Sequence, residues 1–176
     1  MKSLYKRLLA LGGLSVAGLY AGSFLIAPQE GLELYPYYDS VGVLTVCRGH
    51  TGADIQMRKY TEEECNKIYV EDISKTEKQI DKLIKVIVTD YQKAALISFA
   101  FNVGVENVRT SNLIKKLNNK EYIPACKELS RWVYAKKKDC RVKSNNCSGI
   151  VTRRQVEMDW CMGKYKVVDG VLVEAK

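Results

Sequence analysis

The sequence predicts an α+β, mainly α protein of two lobes: a small lobe carrying a β-hairpin near the start, a larger helical lobe, and one long helix joining them. Two observations carry this. Two helix-start signatures precede long apolar-periodic runs, and two short aromatic or β-branched runs flank turn residues near position 40. The 176 residues suffice for one good core, and 47% hydrophobic with 27% charged residues is a globular composition.

The chain begins with Lys2, Lys6 and Arg7, followed by an uncharged run over residues 8–27, LLALGGLSVAGLYAGSFLIA. Twenty such residues reach across a hydrocarbon core as a helix. Basic residues before it and Glu30 and Glu33 after it orient the N-terminus to the cytoplasm and the remainder across the membrane. Ten of the twenty are Gly, Ala or Ser. The favourable insertion total is therefore only roughly −3 to −5 kcal/mol before the small residues subtract from it. Three readings stay open: a signal peptide cut after the small residues Ala21-Gly22-Ser23, an anchor dimerising through Gly18 and Gly22, or a span that enters the membrane and later leaves it.

Tyr35 to Tyr38 and Val43 to Cys47 read as a hairpin turning through Asp39-Ser40-Val41-Gly42. Thr61 with Glu64 forms a capping box, and Cys65, Ile68, Tyr69, Ile73, Ile80, Leu83 and Ile84 follow at helical spacing, predicting the long helix to about Lys85. Thr89 with Gln92 starts a second helix, apolar nearly all round and so central, ending near Gly104. Shorter helices are expected from Ser111 to Leu117, from Pro124 to Tyr134, and from Thr152 to Cys161 with Gly163 after it. The cluster Lys136-Lys137-Lys138 with Arg141 and Lys143 reads as a solvated loop, and residues 164–176 as a peripheral tail.

The net charge is +8, and without the three basic residues ahead of the uncharged run it is still +5, from 25 basic and 20 acidic residues. Such a balance favours anionic partners without choosing among them. Six cysteines (Cys47, Cys65, Cys126, Cys140, Cys147, Cys161) suit an oxidising compartment, and Cys140 with Cys147, bracketing a short loop, is the one pairing to expect. Their spacing suggests no metal site.

Just after the uncharged run, Glu30, Asp39 and Thr45 make the pattern Glu-x8-Asp-x5-Thr. Glycoside hydrolysis needs one carboxylic acid to protonate the leaving oxygen and a second carboxylate to activate water or steady positive character on the sugar. A threonine hydroxyl donates and accepts, so it can hold the attacking water. The same residues also serve as a helix-capping acid, a turn aspartate and a strand threonine, and spacing alone does not separate the two accounts.

The run EGLELYPYYDSVGVLTVCRGHTG resembles the catalytic segment of phage lysozymes of glycoside hydrolase family 24, a family that includes lambdoid endolysins with signal-arrest-release segments. The similarity continues through YTEEECNKI, ALISFAFNVGVENVRTSNLIKKLN, RWVYA and GIVTRRQVE, covering nearly all of the chain after Pro28. The resemblance implies a lysozyme-like two-lobed fold and cofactor-free hydrolysis of the β-1,4 bond between N-acetylmuramic acid and N-acetylglucosamine in peptidoglycan. It implies Glu30 as general acid, Asp39 as second carboxylate, Thr45 as the residue positioning water, and His50 as a structural residue beside the cleft. It also implies inversion at the anomeric carbon, which needs carboxyls about 6.5–9.5 Å apart. The segment KKKDCRVKSNNC is longer than the family pattern between RWVYA and GIVTRR.

The resulting organisation is a release segment over 1–27, a catalytic domain over 28–163 and a tail over 164–176. The partners are peptidoglycan glycan strands and, before release, the inner membrane through residues 8–27. The protein acts as a monomer in the periplasm of a Gram-negative host, with no nucleic-acid partner. Glu30 is the third residue after the span, so at about 3.6 Å for each of Pro28, Gln29 and Glu30 the acid lies within roughly 11 Å of the hydrocarbon edge while the span is inserted. The polar layer is about 5–8 Å deep, so a glycan could hardly thread there and the membrane-held form is expected to be inactive. The segment has no cysteine, so refolding rather than disulfide exchange would accompany release. Two alternatives remain: a membrane-anchored, non-catalytic envelope-binding module on the same scaffold, and a glycosidase of chitin-like polymers.

Overall fold

The structure is a computed structural model that describes residues 2–39 and 42–175. Ser40 and Val41, expected at the centre of the hairpin turn, lie outside the described residues.

The uncharged run is not one helix. Helix α1 (Lys2–Leu11) stops at Gly12 and Gly13, whose φ values of 70° and 83° belong to the region glycine enters at no steric cost. The chain restarts at Ser15, which caps α2 (Val16–Tyr20) by accepting the Gly18 N–H at 3.2 Å, and runs into a π-helical turn over Ala21–Ile26. Among the described residues no helix is long and apolar enough to cross a membrane. The run instead enters the protein core, where Leu8, Ala17, Leu19, Ala21, Phe24, Leu25 and Ile26 are buried. Gly18 and Gly22 permit this. A Cβ at Gly22 would stand 2.7 Å from Ile73 Cδ1, and one at Gly18 would stand 2.7 Å from Glu77 Oε2. Phe24 and Tyr20 pack with Tyr91 and Trp160 in one aromatic cluster. The polar groups are met too: Ser15 donates its hydroxyl to Glu77, which also pairs with Lys93 at 2.9 Å, and the Tyr69 hydroxyl donates to Gly22 O at 2.8 Å.

The small lobe is an antiparallel sheet of β1 (Glu33–Tyr38), β2 (Leu44–Cys47) and a short β3 (His50–Thr51), one strand more than the sequence suggests. Tyr37 faces Thr45, while Glu33 faces Cys47 across an irregularity in β1. Val46, Cys47, Tyr60 and Cys65 form its own apolar cluster, and the Cys47–Cys65 disulfide staples β2 to the next helix.

That helix, α3 (Glu62–Asp81), starts with the expected Thr61–Glu64 capping box and ends four residues before Lys85. Helix α4 (Asp90–Val103) opens with the Thr89–Gln92 box, buries 94–100 continuously and closes at Gly104, φ 86°. Then come α5 (Val105–Thr110), unforeseen from sequence, α6 (Asn112–Asn118) and α7 (Tyr122–Glu128). The helix expected to reach Tyr134 ends sooner, because residues 129–131 tighten into a 3-10 turn and the chain becomes the hairpin β4 (Tyr134–Ala135) and β5 (Lys138–Asp139). Helix α8 (Ser148–Cys161) begins four residues before Thr152. Cys126–Cys161 links α7 to α8, and Cys140–Cys147 closes the loop between β5 and α8 as expected.

The C-terminal residues form a hairpin. Strands β6 (Tyr165–Val168) and β7 (Val171–Glu174) pair around Asp169-Gly170, both at positive φ. Val167 and Leu172 pack on the main core, the Val167 N–H donates to Tyr91 Oη at 3.2 Å, and Gly170 lies against the Tyr5 ring of α1.

Candidate active site

Glu30 sits one turn beyond the π-helical segment, its N–H bonded to Ile26 O at 3.2 Å, so its position is set by how the N-terminal run docks. Its Oε1 accepts from Arg153 Nη1 at 3.0 Å. The same arginine, only 7% exposed, reaches Glu157 Oε1 at 3.4 Å. Glu157 is buried within α8 and takes further bonds from Arg154 and from Ser98 Oγ, the latter at 2.7 Å. Burial pushes the Glu157 carboxyl up, while Arg154, Ser98 and Arg153 pull it back down. Arg153 thus has a buried carboxylate behind it that fixes its guanidinium toward Glu30. On its other side Glu30 meets Gly49, φ 82°, where a Cβ would lie 3.6 Å from Oε2. Glu30 is therefore the point at which the helical lobe and the β2–β3 turn of the sheet meet.

Asp39 and Thr45 form a second unit on that sheet. Cross-strand partners share a face, so Thr45 opposite Tyr37 lies on the face to which Asp39, two residues on, also belongs. Val43 ties them together: its N–H donates to Asp39 Oδ1 at 2.9 Å, and its carbonyl accepts the Asp39 N–H and the Thr45 hydroxyl, each at 3.0 Å. The turn-aspartate and strand-threonine roles are thus real, and they fix the two side chains relative to each other. Thr45 is 4% exposed.

His50 is held at both ring nitrogens, Nδ1 to Asp72 at 2.8 Å and Nε2 to Asp54 at 3.4 Å, which suits an anchor between β3 and α3. Arg48 places its guanidinium carbon 5.7 Å from the Tyr69 ring centre, and burial suppresses ionisation of the Tyr69 phenol. A cleft of about 320 Å³ is bordered by Gln29, Asn102, Arg153, Asn146 and Cys147, so the loop closed by Cys140–Cys147 shares it with the arginine that holds Glu30. Of the six cysteines none is free, and among the described residues no group of His, Cys, Asp and Glu could hold a metal ion.

Sequence reasoning points to Glu30, Asp39 and Thr45 as candidates and assigns no role to Arg153, Glu157 or Gly49. A signal existed for the first two: arginines at 153 and 154 with a glutamate at helical spacing on one helix.

Comparison with known proteins gives a consistent answer. The family model described as "Phage lysozyme" matches residues 27–157. The chain is 45% identical over 134 residues to the SAR-endolysin of Bacteriophage PS119, covering 76% of each. It is 38% identical over 159 residues to the SAR-endolysin of Enterobacteria phage P21, covering 87% of this chain and 91% of that one. Among solved structures, the endolysin from Escherichia coli O157:H7 phage FAHEc1 superposes with a TM-score of 0.69 at 30% identity, over 81% of this chain and 90% of that one.

Proposed function

The chain belongs to the phage lysozyme family and is a peptidoglycan-lysing endolysin, and we propose that Glu30, Asp39 and Thr45 carry the reaction as an inverting N-acetylmuramidase. The supporting observation is Glu30 held between Arg153 and Gly49, beside a sheet on which Asp39 and Thr45 are locked together through Val43. Glu30 donates its proton to the glycosidic oxygen between N-acetylmuramic acid and N-acetylglucosamine. Thr45 orients a water, and Asp39 takes its proton as the water attacks the anomeric carbon from the opposite face. Arg153 is a positioning residue, fixing the Glu30 carboxyl from behind.

The second part of the proposal concerns control. Residues 1–27 hold the chain in the inner membrane with the N-terminus in the cytoplasm, and release into the periplasm lets the run fold into the core and carry Glu30 to its place. The support is the dependence of Glu30 on the packed run, from the Tyr69–Gly22 bond through Ile26 O. Residues 28–163 form the catalytic domain, and the protein acts as a monomer on glycan strands.

Turbidity loss of permeabilised Gram-negative cells compares wild type with Glu30→Gln. A decline of at least about 100-fold is expected; equal clearing would remove the catalytic assignment, and no clearing by either would favour a binding module. Muropeptide analysis separates a muramidase from an enzyme of chitin-like polymers. Sequencing the N-terminus of protein recovered from lysing cells tests release, since a start at residue 24 or later would replace it with cleavage.

A further inference from the structure

The loop between α3 and α4, residues 82–89, carries Ile87 at 92% exposure, the most exposed of the large hydrophobic side chains among the described residues. The loop is pinned. Asn118 of α6 accepts the Lys85 N–H at 2.8 Å and donates to Leu83 O at 2.9 Å, and Tyr122 of α7 donates its hydroxyl to Ile87 O at 3.0 Å. Leu83, Ile84, Val86 and Val88 pack on the main core, so Ile87 is presented outward by a fixed backbone. Ile123, next to Tyr122, is 51% exposed as well.

Two cavities adjoin here and share Lys85. One, of about 540 Å³, has Ile84, Val86, Ile87 and Tyr122 with Lys85 and Lys120 at its margin. The other, of about 350 Å³, brings Lys82, Lys85, Lys115 and Arg109 together, and no carboxylate lines either one. Of the nearby acids, Asp81 pairs with Lys93 at 2.8 Å and Glu106 with Arg109 at 2.9 Å, while Glu121, beside Lys120, accepts from Asn119 at 3.5 Å and lines neither cavity. Among the described residues Lys82, Lys85, Lys115 and Lys120 make no ion pair. Favourable contact with a negative helix end accounts for Lys115, in the last turn of α6, and for Lys82, the C-cap of α3, but not for Lys85, which lies beyond both helices.

We propose that this face docks on an anionic phospholipid bilayer, with headgroup phosphates in the cavity of Lys82, Lys85 and Lys115 and with Ile87 and Ile123 in the acyl boundary. Charge complementarity selects the partner: unneutralised cations beside fixed, exposed aliphatic side chains match a surface that is phosphate outside and hydrocarbon within. A nucleic acid would meet the lysines and leave the isoleucines in water. The surface is separate from the Glu30 site and independent of residues 1–27, so it would hold the released protein near a membrane after its N-terminal run has left the bilayer.

The test is sedimentation of the full chain with phosphatidylcholine vesicles, with and without one-third phosphatidylglycerol. Each lysine near an anionic surface is worth about fivefold in partitioning. Lys82→Gln/Lys85→Gln/Lys115→Gln together should therefore lose about 100-fold on the anionic vesicles, and Ile87→Ser about tenfold. Leu9→Ser/Leu11→Ser, on the exposed side of α1, should partition as wild type does, and every variant should digest purified sacculi at the wild-type rate. The proposal is overturned if wild type binds neutral and anionic vesicles equally, or if only the Leu9/Leu11 variant loses binding. It is also overturned if Ile87→Ser abolishes a dimer in sedimentation velocity while vesicle binding is unchanged, which would make this face a contact between two copies.

Discussion

Replacing Phe24 by alanine separates burial in the core from the membrane insertion proposed for the uncharged run. In the folded protein Phe24 is 5% exposed and stacks on Trp160 with ring centres 5.9 Å apart, while Tyr5 and Tyr20 stand at 5.8 and 6.4 Å. Truncating a buried phenylalanine costs about 3–5 kcal/mol, out of a total stability of roughly 5–15 kcal/mol. For a chain of this size each kcal/mol moves the melting temperature by about 2–4 °C, so a fall of about 6–20 °C is expected. Leu9 lies in the same run but is 53% exposed on α1, and Leu9→Ala should cost within about 0.5 kcal/mol. In a bilayer the two residues are nearly equivalent, each favouring insertion by about 0.3–0.6 kcal/mol. Thermal melts of the soluble protein followed by circular dichroism therefore report on the core alone. If Phe24→Ala and Leu9→Ala melt together, the run does not belong to the core and the dependence of Glu30 on it falls.

Three further outcomes follow from named contacts. Gly18→Leu/Gly22→Leu inserts side chains where a Cβ already stands 2.7 Å from Glu77 Oε2 and from Ile73 Cδ1; overpacking costs about 1–3 kcal/mol at each site while insertion becomes more favourable. The variant should stay in the membrane fraction with lysis delayed, and wild-type release timing would contradict this. Glu64, bonded by Arg58 and by the Thr61 N–H, has its carboxyl lowered to about 2 from the ordinary 4.5. Its stabilisation is present above about pH 4.5 and fades as pH falls toward 2, so the melting difference between wild type and Glu64→Gln should be open at neutral pH and closed near pH 2; a difference constant with pH would refute it. By loop length, removing Cys126–Cys161, separated by 35 residues, should cost about 4 kcal/mol and removing Cys140–Cys147, separated by 7, about 2; the reverse order of melting temperatures would show that loop closure does not govern these bridges.

What the sequence discloses about this fold divides by range. Thr61–Glu64 and Thr89–Gln92 are legible because a capping box closes within three residues and needs nothing from the rest of the chain. The start of α8 is not, because Cys147 supplies no side-chain cap and is fixed by its bridge to Cys140. The C-terminal hairpin was within reach: Asp169-Gly170 between Val-Val and Val-Leu-Val is a strong two-residue turn signal, and both residues take the positive φ that such a turn requires. In the candidate site, Glu30, Asp39 and Thr45 stand out because they crowd into one segment, the one whose run resembles a family's catalytic stretch. Arg153 lies 123 residues from Glu30, and only the packing of α8 against the docked N-terminal run brings them together.

The same composition that would weaken residues 8–27 as the proposed span equips them for the core. Lipid and protein interior both remove Leu8, Leu19, Phe24, Leu25 and Ile26 from water, so these side chains do little to choose between them. The choice falls to the small and polar residues. In hydrocarbon, glycine offers no apolar surface and a serine hydroxyl finds few partners. Against the body, Gly18 and Gly22 allow the close approach to α3, Gly12 and Gly13 permit the bend that α1 needs, and Ser15 both caps α2 and donates to Glu77. Tyr69 adds a bond to the Gly22 carbonyl, which also accepts the Ala27 N–H at 3.1 Å in the wide π turn. Only the Ser23 hydroxyl goes without a partner among the buried side-chain polar atoms of the run. Small residues that make insertion marginal are thus the ones that shape the surface on which Glu30 comes to rest, and a run optimised for the bilayer with leucine at these positions could not deliver it there.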